Sequence, residues 1–150
     1  MKRVVTGNNQ DGKSVFVSVS EPPRTVTSAH GNRVTYCWST KETPVVPNNG
    51  DDPTLTMTSH FLAPGGTSFV VVEFPGNSKT QMHTTDSVDY ATILSGEMWL
   101  ILDDGAEVHL TPGDCVVQNG TQHAWHNRTS EPCVMAGVTV GAKRLRMQPK

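Results

Sequence analysis

A chain of 150 residues has the length of a single domain and can bury one hydrophobic core. No residue type dominates, which sets aside collagen-like, coiled-coil and membrane classes, and a formal net charge of −2 argues against a nucleic-acid or membrane-surface binder. The 3 cysteines, Cys37, Cys115 and Cys133, are widely spaced and odd in number, so they form neither a disulfide framework nor a C-x-x-C metal site; Cys115 and Cys133 lie in apolar runs and are expected as buried thiols.

The start, MKRVVTGNNQDGKS, lacks the apolar stretch of a signal peptide, and no run is long enough to span a bilayer, so a cytoplasmic location is the expectation. Helical periodicity is scarce. Short β-forming runs separated by turn residues recur instead, as in a sandwich or barrel. Residues 13–19 alternate valine with other residues and predict a strand, closed by Pro22 and Pro23, and 33–38 predict a second. The composition of 44–53, PVVPNNGDDP, makes it a loop, either a solvated connection or a cover over a barrel mouth. Residues 54–62 predict a strand carrying Met57 and His60 before the turn at Pro64-Gly65-Gly66, and 68–74 are strongly β-forming.

Strands are expected over 87–94 and 97–102, broken at Ser95-Gly96, with Asp103-Asp104-Gly105 as a hairpin signal before an antiparallel return over 107–110. Residues 115–118, 123–127 and 132–140 complete the set, with turns at Thr111-Pro112-Gly113-Asp114 and Asn119-Gly120. Gly96, Gly105, Gly113 and Gly120 serve these turns and bulges. The sum is an all-β, antiparallel double-sheet barrel. One domain covers 1–150: an N-terminal strand extension (1–62), the barrel core (63–140) and a basic C-terminal tail (141–150) in which Lys143, Arg144 and Arg146 are solvated. In the run from Met98 to Leu102, alternation sends Trp99 and Ile101 outward, either beneath the N-terminal strands or into a homodimer interface. The sequon Asn127-Arg128-Thr129 is read as chance.

Chemistry concentrates in two stretches, HTTDSVDYATILSG from His83 and GDCVVQNGTQHAWHN from Gly113. Residues two apart on a strand share a face, so His83, Thr85 and Asp89 point the same way, and His123 arrives from a neighbouring strand. Two imidazoles and a carboxylate resemble the facial triad of non-haem iron enzymes, with positions open to water, oxygen or substrate. Without a metal, His123 paired with Asp89 is a candidate general base. The structural alternative is a pair of core histidines satisfied by the backbone. Met82, Ile93, Met98 and Trp125 are candidate pocket walls, Thr85 can orient a substrate oxygen and His60 can edge the pocket. Tyr90, His109 and His126 are expected to face outward.

In these motifs the chain resembles the cupin superfamily, as a small single-domain cupin. The family's first motif is G, five residues, H-x-H, three or four residues, E, six residues, G; here Gly76 is followed by six residues, His83-Thr84-Thr85, three residues, Asp89, six residues and Gly96. The second is G, five residues, P-x-G, two residues, H, three residues, N; here it runs from Gly113 through Asn119-Gly120 and His123 to Asn127. Thr85 replaces the second histidine, Asp89 replaces the glutamate, and the second motif lacks its proline and is one residue shorter.

The resemblance implies a jelly-roll barrel. It also implies one divalent ion, Fe, Mn, Ni or Zn, on His83, Asp89 and His123, or none if the shorter aspartate arm falls short. It further implies an enzyme with catalytic His83, Asp89 and His123 acting on a small organic acid or aromatic. Lyase or isomerase chemistry such as decarboxylation or dehydration, or metal-assisted chemistry, is expected. The alternatives are a non-haem metal dioxygenase and a non-enzymatic small-molecule binder. No nucleic acid or membrane partner is implied.

Overall fold

A computed structural model describes residues 1–48, 52–57 and 62–145. Among them, β1 (Arg3–Asn8), β2 (Ser14–Ser20), β3 (Arg24–Thr27), β4 (Arg33–Thr40), β5 (Thr67–Phe74), β6 (Ser78–Lys79), β7 (Ser87–Ser95), β8 (Met98–Ile101), β9 (Glu107–Leu110), β10 (Cys115–Gln118), β11 (Ala124–Asn127) and β12 (Cys133–Gly141) follow in order. A six-stranded sheet, β10-β7-β12-β5-β4-β3, faces a four-stranded sheet, β6-β11-β8-β9, and β1 and β2 pair separately as a hairpin. Every pairing is antiparallel. This is the expected all-β jelly-roll. No described helix is long and apolar enough to cross a membrane.

Between the sheets lies a core of Phe74, Ile93, Met98, Leu100, Leu110, Trp125, Cys133 and Met135. Period-two alternation puts it there: Met98 and Leu100 of β8 are buried, while Trp99 and Ile101 between them are half-buried on the other face. Each large apolar side chain removed from water contributes about 1.5–3 kcal/mol. The outward Trp99 is covered by its own chain, though not by the N-terminal strands. His109 of β9 stacks on it with ring centroids 4.2 Å apart, and the Arg128 guanidinium lies 5.1 Å from its ring centre.

Four features differ from expectation. Residues 53–55 form a single 3-10 turn, not the start of a strand, because Pro53 sits at its first position and the Asp52 carboxylate caps it by accepting from the Thr54 N–H; His60 lies outside the described residues. Only β1 and β2 of the N-terminal extension stand apart, since β4 pairs with β5 and carries β3 into the large sheet. Cys115 is exposed while Cys37 and Cys133 are buried, because the inward positions of β10 are Val116 and Gln118. Arg144 is exposed, as expected of the tail, but it is tied to the barrel. Its guanidinium donates to the Thr85 carbonyl at 2.8 Å and to that of Gly120 at 3.3 Å, and it pairs with Asp86. It thus straps together the loops that follow His83 and precede His123; Arg146 lies outside the described residues.

The motif's last residue, Asn127, is wholly buried. Its Nδ2 donates to the carbonyls of Pro75 (3.1 Å) and Glu131 (2.8 Å), and its Oδ1 accepts from the Thr129 N–H (3.0 Å) and hydroxyl (2.8 Å). It fixes two turns to β11 and is sequestered from glycosylation. Gly76 must be glycine because a Cβ there would lie 2.1 Å from the Ser130 carbonyl oxygen.

Candidate functional site

A cavity of about 270 Å³ opens between the sheets beside the core. Val70, Val72, Phe74, Val116, Trp125 and Met135 give it an apolar wall, and His83, Thr85, Asp89, Gln118 and His123 supply the chemistry. A larger groove of about 1090 Å³ runs under the β1–β2 hairpin, but among the described residues no imidazole lines it, and the charged side chains that do, Arg3 and Asp52, pair with each other.

His83 and His123 are direct antiparallel bridge partners: each N–H donates to the other's carbonyl at 2.9 Å. A bridge places both side chains on one face, and the ring centroids are 4.3 Å apart, tilted by 49°. His83 stands at the exposed mouth and His123 is buried inside, edge-on to Trp125 at 5.8 Å. In each ring Nδ1 donates to the carbonyl two residues back, Gln81 at 2.8 Å for His83 and Thr121 at 3.0 Å for His123. A carbonyl only accepts, so both neutral rings carry the proton on Nδ1 and leave the Nε2 lone pair free. Burial moves the pKa of His123 below the usual 6.5 against the opposing pull of the Thr121 carbonyl; His83 adds to the lowering and Asp89 opposes it. His123 is therefore a neutral base at pH 7.

Asp89 lies on β7, on the inward face with Ser87. The Ser87 hydroxyl donates to Thr85 Oγ1 at 2.8 Å, and Thr85 Oγ1 donates to Asp89 Oδ2 at 3.4 Å. Asp89 Oδ1 is buried and has no hydrogen-bond partner. Gln118, which sequence reasoning missed, is the register partner of Asp89 on β10, and its buried Nε2 also lacks a partner.

The donor set is that of half a metal site. Two imidazoles present Nε2 lone pairs, but among the described residues no group of three His, Cys, Asp or Glu side chains is close enough together to hold an ion. The expected triad of His83, Asp89 and His123 is not assembled. Thr85 replaces one ligand in the motif, and the short Asp89 arm is held toward Thr85 instead. Of the other predicted pocket residues, Trp125 and Thr85 line the cavity. Ile93 and Met98 face inward but are consumed by the core, and Met82 is exposed.

The cupin-domain family model (Cupin_2) matches residues 70–141. Phomopsin biosynthesis cluster protein C' of Diaporthe leptostromiformis is 33% identical over an alignment of 158 residues that covers 99% of this chain and 82% of that protein. The chain belongs to the cupin superfamily. It is also similar to the cupin-domain-containing oxidoreductase virC of Hypocrea virens, 34% identical over 136 residues, covering 85% of this chain and 67% of that one. Among solved structures, the cupin domain of Schizosaccharomyces pombe Cnp3 superposes with a TM-score of 0.58 at 10% identity, covering 93% of this chain and 87% of that one, which reflects a shared fold. Within that cupin barrel, the bridged histidines occupy the first and last histidine positions of the two motifs.

Proposed function

We propose that this cupin is an enzyme of small-molecule biosynthesis that moves a proton on a small, largely apolar molecule held in the barrel, in a lyase or isomerase reaction. The single observation that carries the reading is the bridged imidazole pair, each ring tied through Nδ1 to a backbone carbonyl so that Nε2 is left for the ligand. His123 Nε2 takes a proton from a carbon next to a carbonyl, in an apolar pocket where water does not compete for it. His83, at the mouth, exchanges protons with solvent and delivers one to another carbon or to a departing hydroxyl. Isomerisation returns the proton elsewhere on the molecule, and dehydration releases water, so neither consumes an oxidant. The relatedness to biosynthesis-cluster proteins supports the setting.

The test is deuterium wash-in from solvent, or loss of water, across a panel of aryl ketones and cyclic β-hydroxy ketones, followed by mass spectrometry. Turnover that His123→Ala lowers by about 100-fold or more supports the reading. Binding without exchange of any panel member assigns the barrel to ligand storage or sensing and overturns it. Activity lost to a chelator and restored by Fe, Mn, Ni or Zn assigns the imidazole pair to an ion, and also overturns it.

The names of relatives such as the Hypocrea virens protein favour a second reading, an oxidoreductase. Under it the same base takes the proton while an electron acceptor from solution takes the electrons. Consumption of oxygen or of an added acceptor, matched to substrate loss, separates the two.

A further inference from the structure

Among the described residues four buried side-chain atoms lack a hydrogen-bond partner: Arg3 Nε, Ser68 Oγ, Asp89 Oδ1 and Gln118 Nε2. Leaving such an atom unpaired costs about 1–3 kcal/mol. Two of the four are an acceptor and a donor on facing residues of adjacent strands, and both residues line one cavity. Gln118 is only 4% exposed. We infer that Asp89 and Gln118 form a donor–acceptor clamp for one hydroxyl group of a neutral, otherwise apolar ligand. This rests on the reading of the barrel interior as a small-molecule site.

A hydroxyl is the group that matches both at once. It donates its proton to the carboxylate and accepts from the amide on its lone pairs. The terminal torsions of aspartate and glutamine are soft, so each head group can turn to a hydroxyl seated in the cavity. Thr85 already holds Asp89 Oδ2 and leaves Oδ1 to the ligand.

Charge argues against the organic acid that the family resemblance left open. Among the described residues no lysine or arginine lines the cavity, and the carboxyl that does is that of Asp89. A ligand carboxylate would be desolvated there without a counter-charge and beside a like one. Size narrows the class further. About 270 Å³ falls just below the range for drug-sized ligands and equals roughly nine waters of liquid volume. A single substituted ring, a phenol or a cyclic alcohol, is the class that fits. His83 and His123 line the same cavity as the clamp.

Three probes that differ only in their polar handle test this: 4-methylphenol, toluene and 4-methylbenzoate, with binding followed by ligand-observed NMR at pH 7.5. The full-length protein is expected to bind 4-methylphenol at least tenfold more tightly than either of the others. Gln118→Leu and Asp89→Leu are expected to abolish that preference, with toluene still bound. Asp89→Asn, which keeps an acceptor, restores part of it.

Gln118→Leu is also expected to melt no lower than wild type, because it removes an unpaired buried amide nitrogen, whereas Asp89→Leu additionally gives up the hydrogen bond from Thr85. Lower melting of Gln118→Leu would mean that its amide is already satisfied inside the protein, and would overturn the clamp. Equal binding of toluene and 4-methylphenol, or a preference for 4-methylbenzoate, overturns the clamp but leaves the barrel a ligand site. If none of the three binds, the barrel reading fails and takes the clamp with it.

Discussion

Replacing Asn127 with alanine tests whether the last residue of the second motif is a structural part rather than a member of the site. The side chain is 0% exposed and makes four hydrogen bonds. The Pro75 carbonyl keeps the Ser78 hydroxyl and the Glu131 carbonyl keeps the Thr129 hydroxyl, so in the variant neither is orphaned. The Thr129 N–H loses its acceptor outright. One orphaned buried donor costs about 2 kcal/mol, and partial loss at the other groups adds a few tenths each, for a total of about 3 kcal/mol. In a domain of this size that lowers the melting temperature by about 6–12 °C. Asn127→Asp should be no milder, since its second oxygen would face the two carbonyls that now receive the amide N–H. Thermal denaturation by circular dichroism, checked against urea midpoints, measures both. A melting temperature within about 2 °C of wild type for Asn127→Ala would show that the two turns do not depend on this amide.

The thiols and His123 give two further expectations. A disulfide reagent at pH 8 should modify Cys115 in the native protein and reach Cys37 and Cys133 only after unfolding. Cys115 is exposed, whereas burial pushes the Cys133 thiol up to about 11 and raises that of Cys37 as well; three thiols reacting at one rate under native conditions would contradict the burial. Folding stability should fall as pH drops below 6.5. The unfolded chain then takes up a proton that folded His123 resists, so the stabilisation is complete above 6.5 and is lost as pH passes down through the lowered folded value. His126 shifts in the same direction, chiefly by partial burial. Urea midpoints at pH 7.5 and 5.5 should therefore converge in part when His123 is replaced by glutamine. An undiminished pH slope in that variant would place the effect elsewhere.

The sequence exposed most of the barrel because period-two alternation and turn residues are local signals. The runs at 107–110 and 115–118 coincide with β9 and β10, and the turn glycines Gly96, Gly105, Gly113 and Gly120 all have positive φ. The inward face of Asp89 on β7 was legible for the same reason, whereas His83 and His123 lie outside the named strands and meet through an isolated bridge. Depth along the barrel was not legible: Ile93 and Met98 have the right face but sit in the core instead of the cavity, and only packing of the two sheets decides that. Cross-strand register was equally hidden. That Asp89 faces Gln118, or that His83 bridges His123, follows from pairings between segments dozens of residues apart, for which local pattern carries no signal. In β10 the apolar run hid its parity, because the residue that turns inward at its end is a glutamine and the cysteine at its start turns out.

Two buried amides in the same barrel, Asn127 and Gln118, separate fold from function. Each lies on a strand, each is almost wholly removed from water, and each belongs to the second motif stretch. Asn127 is fully bonded to turns that are part of the chain itself, so its environment is complete when the protein has folded. Gln118 folds into place opposite an aspartate with the same deficit and gains no partner. A sequence shaped by stability alone would put leucine or valine at both positions of that pair, since β-strand propensity and cavity lining both favour it. Local rules are broken where a molecule from outside is to complete the bonding. Two of the four described residues with unpaired buried atoms, Asp89 and Gln118, line the cavity that holds the imidazole pair. On the function proposed above, one guest would meet both the polar clamp and the imidazole base.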